Sequence, residues 1–411
     1  MFRKGFSYLL IFILLFSLVM INYDANKQDQ VSLVVKSFNF SQNNSNNNPL
    51  YSNQWSLYNK DYDLIDTGAT LAWETTKGSP KVIVGIIDSG IDYNHPDLIN
   101  SIWINSNEIA GNDIDDDQNG YIDDMYGYDF ASMTDSPMDD NGHGTHVAGI
   151  IAASDNYLGM VGLAPNTKIM ALKVMKKSGP MAISDIVAAI NYGKINGVRI
   201  FNLSFGMSTY SRALYDAIKD TDALFICAAG NGGADKSGDN NDKAPFYPAS
   251  YELDNIIAVS SIDQDGSLSS FANYGLASVD IAAPGDNIIS TTITNNQYTY
   301  MDGTSMANAY VSATAALALS VNPKLSVANL KTIILLASRP LSGLTDKVVT
   351  SGIIDANQTV KLASPNYNIL SRLISVNKPI EEDHQDLIVQ CQNVINWFSD
   401  KIKSIFMFLG N

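Results

Sequence analysis

The strongest constraint on the fold is a set of short, nearly uninterrupted apolar runs spaced along the middle of the chain. Residues 82–87 (VIVGII), 169–174 (IMALKV), 198–203 (VRIFNL), 223–228 (ALFICA) and 256–259 (IIAV) are strand-length and rich in β-branched and aromatic side chains. A strand covered on both faces has no solvent side, so its sequence loses the polar alternation of a half-exposed strand. Between these runs lie stretches with helical spacing: 184–195 with Ser184 at the N-cap, the alanine-rich 305–320 closed by Asn322-Pro323, and 326–338. Strand runs alternating with helical stretches describe an α/β chain, a central, mostly parallel β-sheet flanked by helices in three layers. In such sheets the chemistry collects beyond the carboxyl ends of strands, and Asp88 and Asn231 both fall just past a run.

Outside this region the character changes. Arg3 and Lys4 precede an apolar run at 6–21, so residues 1–22 are expected to be either a signal peptide or an N-terminal anchor. The protein is then exported: secreted, periplasmic or membrane-anchored facing outwards. Residues 23–48 contain SQNNSNNN, too polar to offset the entropy of ordering, and are expected to be an Asn-rich linker. The folded domain is expected over 49–363. In the tail, 364–411, Leu387, Cys391, Val394, Phe398, Ile402, Ile405 and Leu409 recur at helical spacing, an amphipathic helix that either packs on its own domain or docks on a membrane. A formal charge of −16 would repel phosphate, which excludes a nucleic-acid partner. Two cysteines, Cys227 and Cys391, cannot build a disulfide framework and read as free thiols.

A hydroxyl is a poor nucleophile at neutral pH. Acyl transfer through one needs a base for its proton, a carboxylate to orient that base and donors for the oxyanion. Of four histidines, only His143 and His146, in DDNGHGTHVAG, sit among small residues that admit a substrate backbone. Here the blocks VIVGIIDSGIDYNHPDL, NGHGTHVAGIIAA, NLSFG, AAGNGG and GTSMA resemble, in the same order, the signature blocks of the subtilisin-like serine proteases, or subtilases. The resemblance covers about 51–361. It implies a serine endopeptidase acting on polypeptides through an acyl-enzyme, with Asp88 orienting His143, His143 taking the proton of Ser305, and Asn231 donating to the oxyanion. Asp92 and His146 would be structural. Backbone edges at Ser178-Gly179-Pro180 and Ser204-Phe205-Gly206 would clamp an extended peptide, with Phe205 and Met207 shaping the pocket.

The resemblance also implies structural calcium, held by the side chains of Asp97 and Asn156 with the carbonyls of Ser154, Leu158 and Met160. Separately, in NDIDDDQNGYIDD, Asp115, Asp117 and Asn119 alternate ahead of Gly120 as in the first half of a calcium loop, although Tyr126 stands where an EF-hand has its bidentate glutamate. The chain departs from the family after the nucleophile: Ala309 and Ala313 replace the usual proline and glycine, changing packing along that helix and leaving the triad untouched.

Overall fold

The structure, a computed structural model, describes residues 48–177, 181–233, 235–294 and 297–365. The expected signal or anchor, nearly all of the linker, the amphipathic helix of the tail with Cys391, and Ser178, Gly179 and Pro180 lie outside the described residues. Among the described residues no helix is long and apolar enough to cross a membrane.

The apolar runs are strands of one sheet. In chain order the elements that matter are β1 (Ile83–Asp88), β2 (Gly127–Asp129), α1 (His143–Ala152), β3 (Lys168–Lys173), α2 (Ile183–Ile195), β4 (Ile200–Leu203), α3 (Arg212–Lys219), β5 (Leu224–Ala228), β6 (Ile256–Ile262) and β7 (Ile281–Pro284). The hairpin strands β8 (Ile288–Thr291) and β9 (Tyr298–Met301) follow, then α4 (Thr304–Val321), α5 (Val327–Ala337), β10 (Arg339–Pro340), β11 (Gly352–Ile353) and α6 (Ala356–Ala363). The nine-stranded order is β10-β11-β7-β6-β5-β4-β1-β3-β2, parallel except between β10 and β11. β1 has β3 on one side and β4 on the other, and the chain crosses it in passing from β3 to β4, so the end of β1 is a topological switch point, where an open sheet leaves a crevice.

Why these runs carry no polar face is visible in their side chains, which alternate between two apolar layers. Val84, Ile86, Ile169, Ala171, Ile200, Leu224 and Ile226 point to the layer shared with α1, α4, α5 and α6. Ile87, Met170, Leu172, Phe201, Leu203, Phe225 and Cys227 point to the opposite layer, with α2 and α3. This is the expected three-layer α/β sandwich, and Cys227 is a buried free thiol within it.

Helix α4 is buried from Thr304 through Leu319, so it is a core element rather than a surface one, and its many alanines allow close approach on all sides. Ala309 and Ala313 are both fully buried there. Amides and hydroxyls buried between α4 and the sheet fix its register. Asn308 Nδ2 donates to Asn202 Oδ1 and to the Ile226 carbonyl, each at 3.0 Å, and Ser312 Oγ donates to Asn202 Oδ1 at 2.8 Å. Asn202 Nδ2 donates in turn to Ser204 Oγ, which donates to the Ser305 carbonyl.

Two helix starts differ from expectation. Ser184 is not the N-cap of α2. Ala182 is, because Ile183, packed on the apolar layer, is already helical, and Ser184 Oγ bonds Asp185 instead. Helix α4 starts one residue earlier than read, at Thr304, whose N–H and hydroxyl both donate to Asn231 Oδ1. Ser326 does cap α5, accepting from Asn329 N–H.

Replacing Asn202 with alanine would take one acceptor from the Asn308 amide, which keeps the Ile226 carbonyl, and leave the Ser312 hydroxyl without its acceptor in the core, at about 1–3 kcal/mol for a group left unsatisfied. Denaturant unfolding of Asn202→Ala should lose roughly that much stability; an unchanged midpoint would mean that the network does not hold α4.

Candidate active site

β1 ends at Asp88, whose side chain is fully buried. Its Oδ1 lies 2.7 Å from His143 Nδ1 and accepts the Ser89 N–H, also at 2.7 Å. A carboxylate only accepts, so Nδ1 carries the hydrogen and Nε2 of the neutral ring is left as the proton acceptor.

The local chain is built to bring this ring to that carboxylate. Gly142, the N-cap of α1, has φ +98°, a conformation that glycine adopts without strain. A Cβ on Gly144 would lie 2.1 Å from the Gly90 carbonyl oxygen, so only a glycine lets the first turn of α1 rest on the backbone after β1. Asp139 organises the turn in between. Its Oδ1 accepts from Ser89 Oγ, Asn141 N and Gly142 N, and its Oδ2 from Thr145 N and Thr145 Oγ1, at 2.6–3.0 Å. Ser89 Oγ also accepts the Gly144 N–H. The buried Lys173 ammonium, at the end of β3, donates to the Ser89 carbonyl at 2.6 Å and to Asp140 Oδ1 at 2.9 Å.

Burial alone would lower the pKa of His143. The charge of Asp88, its hydrogen bond and the charge of Asp139 act the other way and raise it overall above 6.5. His146 differs: burial pushes it down to about 3, and its Nε2 faces the Thr299 carbonyl at 3.2 Å. It is a neutral ring joining α1 to β9. Asp92 contributes its N–H to Thr145 Oγ1.

Ser305 lies in the first turn of α4, and its hydroxyl donates to the Ser204 carbonyl at 3.0 Å. A hydroxyl has one proton, so in this conformation it is not given to His143. At the same helix start Thr304 N–H is taken by Asn231 Oδ1, and Met306 and Ala307 N–H by the Gly303 carbonyl. Among the described residues Ser305 N–H has no acceptor. With its oxygen committed to Thr304, the Asn231 amide presents its Nδ2 as a donor beside Gly303. Both donors thus lie at the start of α4, where the positive end of the helix dipole also favours negative charge. Asn231 is carried by the turn after β5, where Gly230 has φ +108° and donates its N–H to Thr304 Oγ1.

The other expected site residues are placed as follows. Ser204 and Gly206 lie on the segment leading away from β4 beside Ser305, while the Phe205 side chain is buried in the layer with α2 and α3. Asp97 is fully buried; its Oδ2 accepts from Met160 N–H and Tyr298 O–H, and its Oδ1 has no partner among the described residues. Ser154 N–H bonds the Asp97 carbonyl, and Asn156 Oδ1 accepts from Leu158 N–H. Carboxylate oxygens of Asp115 and Asp117 lie within 4.8 Å of each other and of Glu108. Asn119 turns its amide nitrogen to Asp117 and Asp124 and its oxygen to Tyr121 N–H. Sequence reading missed Glu108, which comes from before the loop, and Asp139, whose only signal was a turn-forming DDNG ahead of His143.

The class is defined by comparison with known proteins, which makes this a serine-type endopeptidase. The chain belongs to the subtilase family, whose model matches residues 79–363. It is similar to the thermophilic serine proteinase of a Bacillus strain, 37% identical over 72% of this chain and 69% of that protein. Subtilisin DY of Bacillus licheniformis is 38% identical over 61% of this chain and 81% of its own length. Subtilisin-like protease 1 of Plasmodium vivax is 36% identical over 68% of this chain, which spans 47% of that longer protein. Among solved structures, a protease from Pseudoalteromonas arctica superposes with a TM-score of 0.62 at 25% identity, covering 77% of this chain and 99% of that one.

A ring titration by NMR should give His143 a midpoint above 6.5, because the neighbouring carboxylates favour its charged form. Asp88→Asn should bring that midpoint down; a midpoint that stays put would show that Asp88 does not set it.

Proposed function

We propose that this chain is an exported endopeptidase that cleaves polypeptides through an acyl-enzyme on Ser305, with His143 as base and acid and Asp88 orienting it. The observation that carries the reading is the 2.7 Å Asp88–His143 bond, together with two uncommitted N–H donors at the start of the helix that bears Ser305. Substrate entry requires the Ser305 hydroxyl to leave the Ser204 carbonyl and turn its proton to His143 Nε2. As Oγ attacks the scissile carbonyl, negative charge grows on the carbonyl oxygen, and Ser305 N–H and Asn231 Nδ2 donate to it. His143, now an imidazolium beside Asp88, gives its proton to the departing amine. A water then repeats the sequence on the ester and frees the serine. The Ser204–Gly206 backbone supplies an edge for an extended peptide, Phe205 through its main chain only, and the family match supports assigning the opposite edge to the sequence at 178–180. Export by a signal or anchor within residues 1–22 belongs to the same reading and rests on Arg3, Lys4 and the apolar run behind them.

The family's calcium fits the residues present. A fully buried carboxylate oxygen with no donor, Asp97 Oδ1, is costly unless a cation faces it. Asp97 and Asn156 with the carbonyls of Ser154, Leu158 and Met160 offer the all-oxygen set that calcium prefers, and the ion's role there is to stabilise the fold. The same ion class suits Glu108, Asp115 and Asp117, with Asn119 serving the loop rather than the ion.

Purified protein should react with a fluorophosphonate probe and lose labelling in Ser305→Ala. Asn231→Ala should keep the fold and lower kcat about 10²- to 10³-fold. Wild-type protein that is folded but never labels would favour a binding protein without turnover. Chelation should lower the thermal midpoint of the wild type and shift Asp97→Asn less; equal shifts would remove calcium from Asp97.

A further inference from the structure

Two bare stretches of backbone flank the nucleophile, and one ring stands between them. On one side Ser204 touches Ser305 Oγ through its carbonyl, and Gly206 follows two residues on. On the other, Gly230 immediately precedes Asn231 and is tied to α4 through Thr304 Oγ1. A Cβ built on Gly206 would lie 2.2 Å from Phe246 Cε1 and 2.7 Å from Cδ1. One built on Gly230 would meet the same ring at 3.0 Å. The ring of Phe246 is therefore in contact with both glycines, in a slot that exists because neither wall has a side chain.

The base of the ring is fixed. Its main chain is held on four hydrogen bonds: Phe246 N–H to Ser250 Oγ, Ser250 N–H to the Phe246 carbonyl, and a reciprocal pair between Tyr247 and Met207 at 2.8 Å each. The Gly230 wall is equally fixed, since Asn273 N–H donates to the Gly230 carbonyl and Asn273 Oδ1 accepts Gly232 N–H. Phe246 is only half-buried, so the slot has an open end.

When the scissile carbonyl carbon sits on Ser305 Oγ and its oxygen faces Asn231, the side chain one bond before it must go between the Ser204–Gly206 segment and Gly230. We propose that Phe246 fills the inner part of this slot and restricts cleavage to bonds that follow small residues, namely glycine, alanine or serine. This specificity role rests on Ser305 being the nucleophile. A leucine or phenylalanine in the slot would have to displace a ring already at contact distance from both walls.

The test uses the full chain and matched quenched peptides differing only in the residue before the cleaved bond, alanine, serine, leucine or phenylalanine, with cut sites confirmed by mass spectrometry. Wild-type kcat/KM should favour alanine and serine over leucine and phenylalanine by about tenfold or more. Phe246→Gly and Phe246→Ala should each raise the phenylalanine-to-alanine ratio by about tenfold or more, with the fluorophosphonate reaction retained. Wild-type cleavage after phenylalanine or leucine as fast as after alanine overturns the proposal. So does an unchanged ratio in variants that still label. Should Phe246→Gly fail to fold, Phe246→Leu, which shortens the ring's reach, carries the same comparison. Wild-type protein that neither labels nor cleaves any peptide sinks the nucleophile reading as well, which separates the two failures.

Discussion

The site hangs on a carboxylate placed where a helix can reach it. Asp88 is the last residue of a central strand, fully buried, and α1 meets it only because Gly144 has no side chain to strike the Gly90 carbonyl. A buried charge is tolerable only with partners, and Asp88 has the His143 ring and the Ser89 N–H. Around this bond a group of polar contacts fixes the strand end against the helix start, although Asp88 Oδ2 has no partner among the described residues. Ser89 links strand end to helix start, Asp139 gathers the N–H groups of the turn between them, and Lys173 ties the end of β3 to both. Removing any one of these leaves a buried group without its partner, so the ring's orientation is overdetermined.

A second constraint comes from the opposite direction. Ser305, the proposed nucleophile, is carried by α4, buried along nearly its whole length, whose register on β4 and β5 is set by the Asn202–Asn308–Ser312 contacts. Those contacts lead through Ser204 directly to the Ser305 carbonyl, so one polar line runs from the core to the residue that bears the proposed nucleophile. Core packing and catalytic geometry are here the same structure. Apolar residues in that line would give a core of similar size without a unique position for the helix start.

How much of this was legible in the sequence depended on whether a feature is local. The central strands were, because burial on both faces writes itself into consecutive residues, and Asp88 and Asn231 could be placed past strand ends for the same reason. The β8–β9 hairpin was not read, although Ile288–Thr291 and Tyr298–Met301 are rich in β-branched and aromatic residues, and its place in the fold comes from α1, where Ser290 and Thr291 donate to the carbonyls of His146 and Thr145. Helix starts were read from a serine's preference for the cap, and α2 obeyed the packing of Ile183 instead. Glu108 had no local signature, because it accepts the N–H groups of Asp117 and Asp123, which the fold brings to it, and Asp139 showed only the turn-forming DDNG whose N–H groups at Asn141 and Gly142 it accepts. The motif blocks identified the family, yet the side chain that stands between Gly206 and Gly230 belongs to none of them.

That last point has a physical reason. Residues that perform chemistry must sit on elements that cannot shift, and the three proposed here lie at a strand end and two helix starts locked into the core. Residues that sort substrates need only reach the space beside the bond, and a loop braced at its base is enough: Phe246 is held by bonds between backbone groups and one serine hydroxyl, none of which constrains the identity of its side chain. Exchanging that ring alters what fits without touching the Asp88–His143 bond or the Asn202 network, whereas exchanging Asn202 or Asp139 alters the geometry for every substrate alike. Within one rigid scaffold, the machinery and the selector are thus mechanically separate.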